Sequence, residues 1–194
     1  MSERTNRREL IVDAAAALFK EQGYTATSIR QIADQVGCTE AALYYHFKDG
    51  KRALLQAVLE DHAPSLMAIL QGCEAAESLH ELIICIGKNL SRAVNKESLD
   101  NFRWILAEFP RMSAEERAAV HSKHLEFEQL LAVQVERFVE DSALARKIAW
   151  TMVCAGFGFG QLFFNLEMDK LVDFTPKDLT EVMAMALPAV INMC

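Results

Sequence analysis

The chain has 194 residues, 52% of them apolar, and a formal net charge of −7, which suits one large or two small packed domains and speaks against a protein that holds polyanions by bulk charge. Its five cysteines, Cys38, Cys73, Cys85, Cys154 and Cys194, are scattered and contain no Cys-x-x-Cys pair. That pattern excludes a zinc site and leads us to expect no disulfide framework.

In chain order, Arg4 to Gln22 reads as an amphipathic helix with Ile11, Ala14, Ala15, Leu18 and Phe19 on one stripe, ended by Gly23. Ser28 and Gln31 make a Ser-x-x-Gln capping box for a short helix whose Ile29, Ile32, Ala33 and Val36 share a face. Gly37 supplies a left-handed C-cap, and Thr39 caps the next helix. Two short helices joined by a glycine turn form a helix-turn-helix, whose second helix enters the major groove. In that helix Ala42 and Leu43 face the core, while Thr39, Glu40, Ala41 and Tyr44 occupy the end that meets base edges. Glu40 either accepts from a cytosine amino group or stands solvated at N1, favoured by the helix dipole. Phe47 reads as packing, and His46 as a phosphate donor or a structural hydrogen-bonder.

From residue 51 onward the periodicity stays helical, near 51–70, 78–94, 98–109, 113–140, 143–167 and 176–192, with breaks at Pro64, Gly72, Asn95, Pro110, Ser142 and Pro176. Ser113 to Glu116 is a second capping box. No run alternates as a strand would, so the chain is read as all-α. The stretch Ile148 to Leu166 carries no charge and has the length of a membrane span. Thr151, Gln161, Asn165 and three glycines dilute it, however, and a helix buried in a core or between subunits is expected, with no membrane. Gly156-x-Gly158-x-Gly160 follows no strand and is not a nucleotide loop. His121 and His124 have no third ligand nearby, so no metal is expected. No Gly-x-Ser-x-Gly or His-Glu-x-x-His motif marks an enzyme, and no cofactor is expected. The charged N-terminus lacks an apolar signal core, which points to the cytoplasm.

The sequence of elements, an amphipathic helix, Gly-Tyr-Thr-Ala-Thr, a short helix, a glycine turn, and a helix ending Tyr-Tyr-His-Phe before Lys51-Arg52-Ala53-Leu54-Leu55, resembles the N-terminal domain of the tetracycline-repressor (TetR) family of bacterial one-component regulators. The match runs from about residue 8 to 48, and Lys48-Asp49-Gly50-Lys51 is one residue longer than the family's commonest linker. The resemblance implies a DNA-binding domain over 1–50 and a helical effector-binding and dimerisation domain over 51–194. It implies phosphate contacts from Thr27, Ser28, Tyr44, Tyr45, His46, Lys48 and Lys51, and base choice by Thr39, Glu40 and Ala41.

Charge is divided to match: residues 1–52 hold eight Lys/Arg and seven Asp/Glu, while the remainder holds 12 and 20. Non-specific affinity for DNA should therefore be weak and salt-dependent, and specificity requires a homodimer on double-stranded operator DNA with two half-sites. The resemblance places the dimer seam on the last two long helices, at Phe157, Gln161, Phe164, Met183, Leu187, Val190 and Ile191. A small apolar or amphipathic effector would be walled by Leu66, Met67, Cys85, Phe102, Trp104, Ile105, Phe109, Phe127, Trp150 and Cys154, with Arg103, Glu108, His62 and His124 as polar anchors. The function this implies is a ligand-released repressor. The alternatives are an effector-free architectural DNA-binding dimer and a small all-α hydrolase.

Overall fold

A computed structural model describes residues 3–62, 66–93 and 103–191, excepting the side chains of residues 3–6, 62, 66, 67 and 123. The described residues are predominantly helical and contain no strand. Four helices come first: α1 (Glu3–Gln22), α2 (Ile29–Val36), α3 (Glu40–His46) and α4 (Lys51–His62). They are followed by α5 (Leu66–Leu70), a 3-10 turn at Cys73–Ala75, α6 (Leu79–Ala93), α7 (103–108) and a second 3-10 turn at Phe109–Arg111. The last long helices are α8 (Ala114–Val135), α9 (Ser142–Phe159) and α10 (Pro176–Ile191). Of the anticipated pocket residues, Phe102 and the side chains of Leu66, Met67 and His62 lie outside the described residues.

The caps read from sequence are present. Ser28 Oγ accepts from Gln31 N–H at 3.2 Å, and Gln31 Oε1 accepts from Ser28 N–H at 2.8 Å. Gly37 sits at φ 72°, where a side chain would be strained, and the following Cys38 N–H returns to Ala33 O at 2.9 Å. Ser113 and Glu116 exchange the same pair of bonds at the start of α8. At α9 the cap is Asp141, whose carboxylate accepts from Ala143 N–H at 2.8 Å. The apolar pattern past Ser142 had obscured it. The span read as 143–167 stops being α-helical at Phe159 and continues as a π-helical turn, Gly160–Asn165.

The chain divides into two compact units, Met1–Ala63 with Asp100–Lys123, and Pro64–Leu99 with His124–Cys194. This division departs from the single boundary at residue 50, and side-chain burial is the reason. In the first unit Ile11, Phe19, Ile32, Leu43 and Phe47 share one buried cluster with Leu54 and Leu55 of α4 and with Trp104, Ile105, Met112 and Val120. Trp104 lies 5.5 Å from the Phe19 ring. The apolar stripe of α1 is thus completed by residues about ninety positions away.

The second unit is built on α6, whose Leu82 and Ile83 are fully buried with Leu131 and Val135 of α8 and Ala145, Ile148 and Ala149 of α9. Glu128 is buried and paired with Arg146, Nε to Oε1 at 3.2 Å. Cys73 and Cys85 form a disulfide, which corrects the expectation from their spacing. The turn after α5 folds Cys73 back onto α6, and nothing local in the sequence records that return. By length and composition Ser142–Asn165 is apolar enough to cross a membrane, yet only 28% of its most apolar window is buried within the chain. Intrachain burial therefore does not account for its composition.

Helices α6 and α10 approach closely at Gly87, where an added Cβ would stand 2.3 Å from Thr180 Cγ2 and Oγ1. Alanine would gain up to about 1 kcal/mol in helix propensity, but such an overlap forces the helices apart at a cost of about 1–3 kcal/mol. Gly87→Ala is therefore expected to lower the melting temperature measured by circular dichroism. Thr180→Ala in the same chain should restore part of the loss.

Candidate nucleic-acid interface

Helix α3 is short because its two ends are set independently. Thr39 Oγ1 accepts from Ala42 N–H at 3.2 Å, and Phe47 N–H closes on Leu43 O at 2.9 Å. Leu43 is fully buried and Phe47 nearly so, which fixes the rotation of the helix. The opposite face then carries Thr39, Glu40, Ala41, Tyr44 and Tyr45, all exposed, the two tyrosines at 47% and 60%. Solvent access to both phenols on a helix anchored by two buried residues is the geometry that recognition of a groove requires.

Other anticipated residues are placed as follows. Ser28 is exposed at the start of α2 and Lys48 is exposed beyond α3. His46 is half-buried with its ring edge-on to Tyr45, centroids 5.3 Å apart. Thr27 is buried; its hydroxyl donates to Gly23 O at 2.8 Å and accepts from Gln22 Nε2 at 3.1 Å, so it shapes the α1–α2 link. The added linker residue has a structural use: Gly50, at φ 58°, lies against the Tyr44 ring, where a Cβ would come within 3.0 Å of Cε1. Arg8, not anticipated, holds its guanidinium 5.4 Å from the Phe47 ring and 3.6 Å from Asp61 Oδ2, adding a half-buried cation beside α3.

Lys51 is half-buried, and its Nζ donates to Thr25 O at 3.2 Å while lying 4.3 Å from the centre of the Tyr24 ring. Burial lowers its pKa, and the carboxylates of Glu116 and Glu108 partly offset that effect. Those two carboxylates hold the same link from the other side. Glu108 is buried and accepts from Thr25 N–H at 2.7 Å and from Arg111 at 3.1 Å, and its carboxyl group fills the space beside Gly23. Glu116 accepts a hydrogen bond from Tyr24 OH. Burial, and then the neighbouring Glu116, push the Tyr24 phenol well above its ordinary pKa, so it stays a donor. Burial alone would raise Glu116, but hydrogen bonds from Tyr24 and Ser113 outweigh it and hold the carboxyl below the usual range. Neither glutamate was read as a partner of the DNA-binding helices, since residues more than eighty positions apart leave no local signal.

The anticipated effector walls are distributed between the two units. Trp104 and Ile105 are buried in the first, where Phe109 is half-buried. Cys85 and Phe127 are half-buried in the second, with Trp150 and Cys154 exposed there. A cleft of about 410 Å³ lies elsewhere in the second unit, beside the stacked rings of Phe159 and Phe163 and the strand-free stretch from Asp169 to Pro176. At the anticipated seam Phe157, Phe164 and Val190 are exposed. Met183, Leu187 and Ile191 pack on the unit's own core, and Gln161 is half-buried and accepts from Asn165. Among the described residues no group of His, Cys, Asp or Glu is arranged to hold a metal.

Residues 11–58 match the family described as bacterial regulatory proteins, tetR family. Among curated proteins the chain is similar to the HTH-type transcriptional repressor KstR2 of Rhodococcus jostii, 32% identical over 87 residues, 42% of each chain. It is also similar to the HTH-type transcriptional regulator LmrA of Bacillus subtilis, 46% identical over 54 residues, 27% of this chain and 29% of that one. The chain thus spans less than half the length of either relative. Solved structures extend the likeness in fold over nearly the whole chain. GusR of Salmonella enterica superposes with a TM-score of 0.72 at 17% identity, covering 99% of this chain and 98% of that one. The TetR family transcriptional regulator PfmR of Thermus thermophilus gives 0.58 at 22%, covering 93% of both. Residues 11–58 thus carry an N-terminal domain of the tetR family of bacterial regulatory proteins, and over the rest of the chain the likeness is one of fold.

The depressed pKa of Glu108, caused first by the Thr25 hydrogen bonds, gives this link a pH dependence. A carboxylate with a lowered folded-state pKa contributes stability above its unfolded value, near 4.5, and loses that contribution as pH falls through the folded value. Glu108→Gln should cost about 1–2 kcal/mol at pH 7 and flatten the fall in melting temperature between roughly pH 5 and pH 3. Equal slopes for both proteins would place the acid sensitivity elsewhere.

Proposed function

We propose that the chain is a cytoplasmic DNA-binding regulator of transcription, not an enzyme, that acts as a repressor on a two-fold operator as a homodimer and is released by a small apolar or amphipathic effector. The observation that carries the DNA-binding reading is α3 itself, whose buried Leu43 and Phe47 turn Thr39, Glu40, Ala41, Tyr44 and Tyr45 outward together. Ala41 keeps the helix close to base edges. Ser28, Tyr44, Tyr45, His46 and Lys48 offer hydroxyl, imidazole and ammonium donors of the kind that position a protein on phosphates. Lys51 joins them by exchanging Thr25 O for a phosphate oxygen, and Thr27 acts through the shape of the link.

Dimerisation is supported by exposed apolar side chains on α9, the turn after it and α10, among them Trp150, Phe157, Phe164, Val182, Met185 and Val190. A monomer in water rarely leaves such a surface uncovered. Release requires an effector with different affinities for the DNA-bound and free states, and only that difference, typically about 1–3 kcal/mol, is available to shift the equilibrium. The aromatic cleft beside Phe159 and Phe163 in the second unit supports an effector of apolar or amphipathic chemistry.

Selection from a random duplex library, followed by gel shift, tests the first half of this reading; recovery of no two-fold sequence would sink it. With the operator in hand, Tyr44→Phe keeps the ring against Gly50 and removes one hydroxyl, and should weaken binding roughly 3–10-fold at constant salt. Glu40→Ala should relax preference at one base pair if Glu40 reads cytosine; a uniform gain at every sequence would identify simple repulsion instead. Phe157→Glu should yield monomers in sedimentation velocity, and an unaltered dimer would remove α9 from the seam.

A further inference from the structure

We propose that Cys73 and Cys85 form a reversible redox pair, closed by a hydroperoxide and opened by a small thiol, which fastens or frees the turn Gln71–Ala76. The two residues lie 12 positions apart with Cα atoms 5.7 Å apart, within the range a disulfide accepts without moving the backbone. What holds them there is largely non-covalent. Asn89, one turn beyond Cys85 on α6, donates to Ile69 O at 3.0 Å and Gln71 O at 2.9 Å. Arg137 donates to Cys73 O at 3.3 Å, Glu74 O at 2.8 Å and Ala76 O at 2.7 Å. These bonds grip the carbonyls on both sides of Cys73 whether or not the sulfurs are joined, so opening the disulfide leaves the thiols adjacent and ready to close again.

The pair is asymmetric in a useful sense. Cys85 is half-buried and reachable, while Cys73 is 1% exposed. The guanidinium of Arg137, bonded to the carbonyl of Cys73, places a positive charge on the turn that carries Cys73. The Cys85 thiolate attacks one oxygen of a hydroperoxide, breaking the O–O bond to give a sulfenic acid and releasing the other oxygen as alcohol or water. The Cys73 thiolate then attacks that sulfur, the S–O bond breaks, and water leaves as the disulfide forms. In reduction a small thiolate attacks the sulfur of Cys85, the less buried residue of the pair, Cys73 departs as thiolate, and a second small thiol resolves the mixed disulfide. Electrons and oxygen balance with the hydroperoxide as oxidant and the small thiol as reductant.

The proposal rests on the reading of the chain as an intracellular DNA regulator in one respect, the choice of reductant. A protein that works on DNA meets the glutathione pool, where disulfides are transient and redox-sensing more often than structural. The test is alkylation of the full chain followed by peptide mass mapping, without DNA. After equilibration in millimolar reduced glutathione and alkylation in denaturant all five cysteines should be alkylated; after one equivalent of hydrogen peroxide three should be, with Cys73 and Cys85 protected together. The oxidised form should melt roughly 5–10 °C higher than the reduced form, and Cys85→Ser should abolish both the protection and the difference. A pair that stays closed in millimolar glutathione is a permanent staple and overturns the proposal, as does peroxide consumption at Cys38 or Cys154 with Cys73 and Cys85 still alkylated. Because no DNA enters the measurement, failure of the operator selection would be seen separately from failure of the redox pair.

Discussion

Two buried or half-buried carboxylates, Glu108 and Glu116, bind the link between α1 and α2, and the geometry of the helix-turn-helix depends on that contact. The link itself is only Gly23 to Thr27, too short to form a core. It is held by a carboxylate on the Thr25 amide, a carboxylate on the Tyr24 phenol, and the Lys51 ammonium on the Thr25 carbonyl. Each is a charge-assisted bond, stronger than its neutral counterpart. The arrangement also sets protonation: Tyr24 is kept a donor and Glu108 an acceptor through the neutral range. Any displacement of α7 or the start of α8 has a direct mechanical hold on the residues before α2 and on the first residue of α4.

That hold gives the acidic body a role beyond composition. A net charge of −7 opposes DNA, yet two of the carboxylates are turned inward and neutralised by donors rather than presented to solvent. The outward face of α3 meanwhile carries two exposed phenols, with the half-buried imidazole of His46 beside them, and on the proposed reading these meet phosphate without a large field. In the proposed dimer, affinity built this way is modest per head and becomes useful when two heads act together. The exposed phenylalanines of α9 and the turn after it support the proposed dimer from the opposite end of the chain.

The second unit shows a different economy. Its α6–α10 contact depends on a glycine facing a threonine, Gly87 against Thr180, and its buried Glu128 carboxylate is met by Arg146. The turn after α5 is held by side-chain bonds to carbonyls with the cysteine pair on top of them. Local order there is over-determined, so a covalent bond can open and close without loss of the fold.

The sequence by itself determined most of the elements and the face that α3 turns outward. Caps at Ser28, Thr39 and Ser113, the left-handed Gly37 and the apolar periodicity of α1 act over three or four residues, so they are legible without knowledge of any distant contact. The outward set on α3 follows from the same periodicity, since burying Leu43 and Phe47 leaves little choice for the rest. Only the tertiary structure decided which segments share a core. It put Trp104 on Phe19, turned Glu108 from an expected effector anchor into the partner of Thr25, withdrew the Thr27 hydroxyl into the link, and joined Cys73 to Cys85. Each of these depends on where a chain returns after dozens of residues. That return is set by the shape of a packed interior, which no local spacing records.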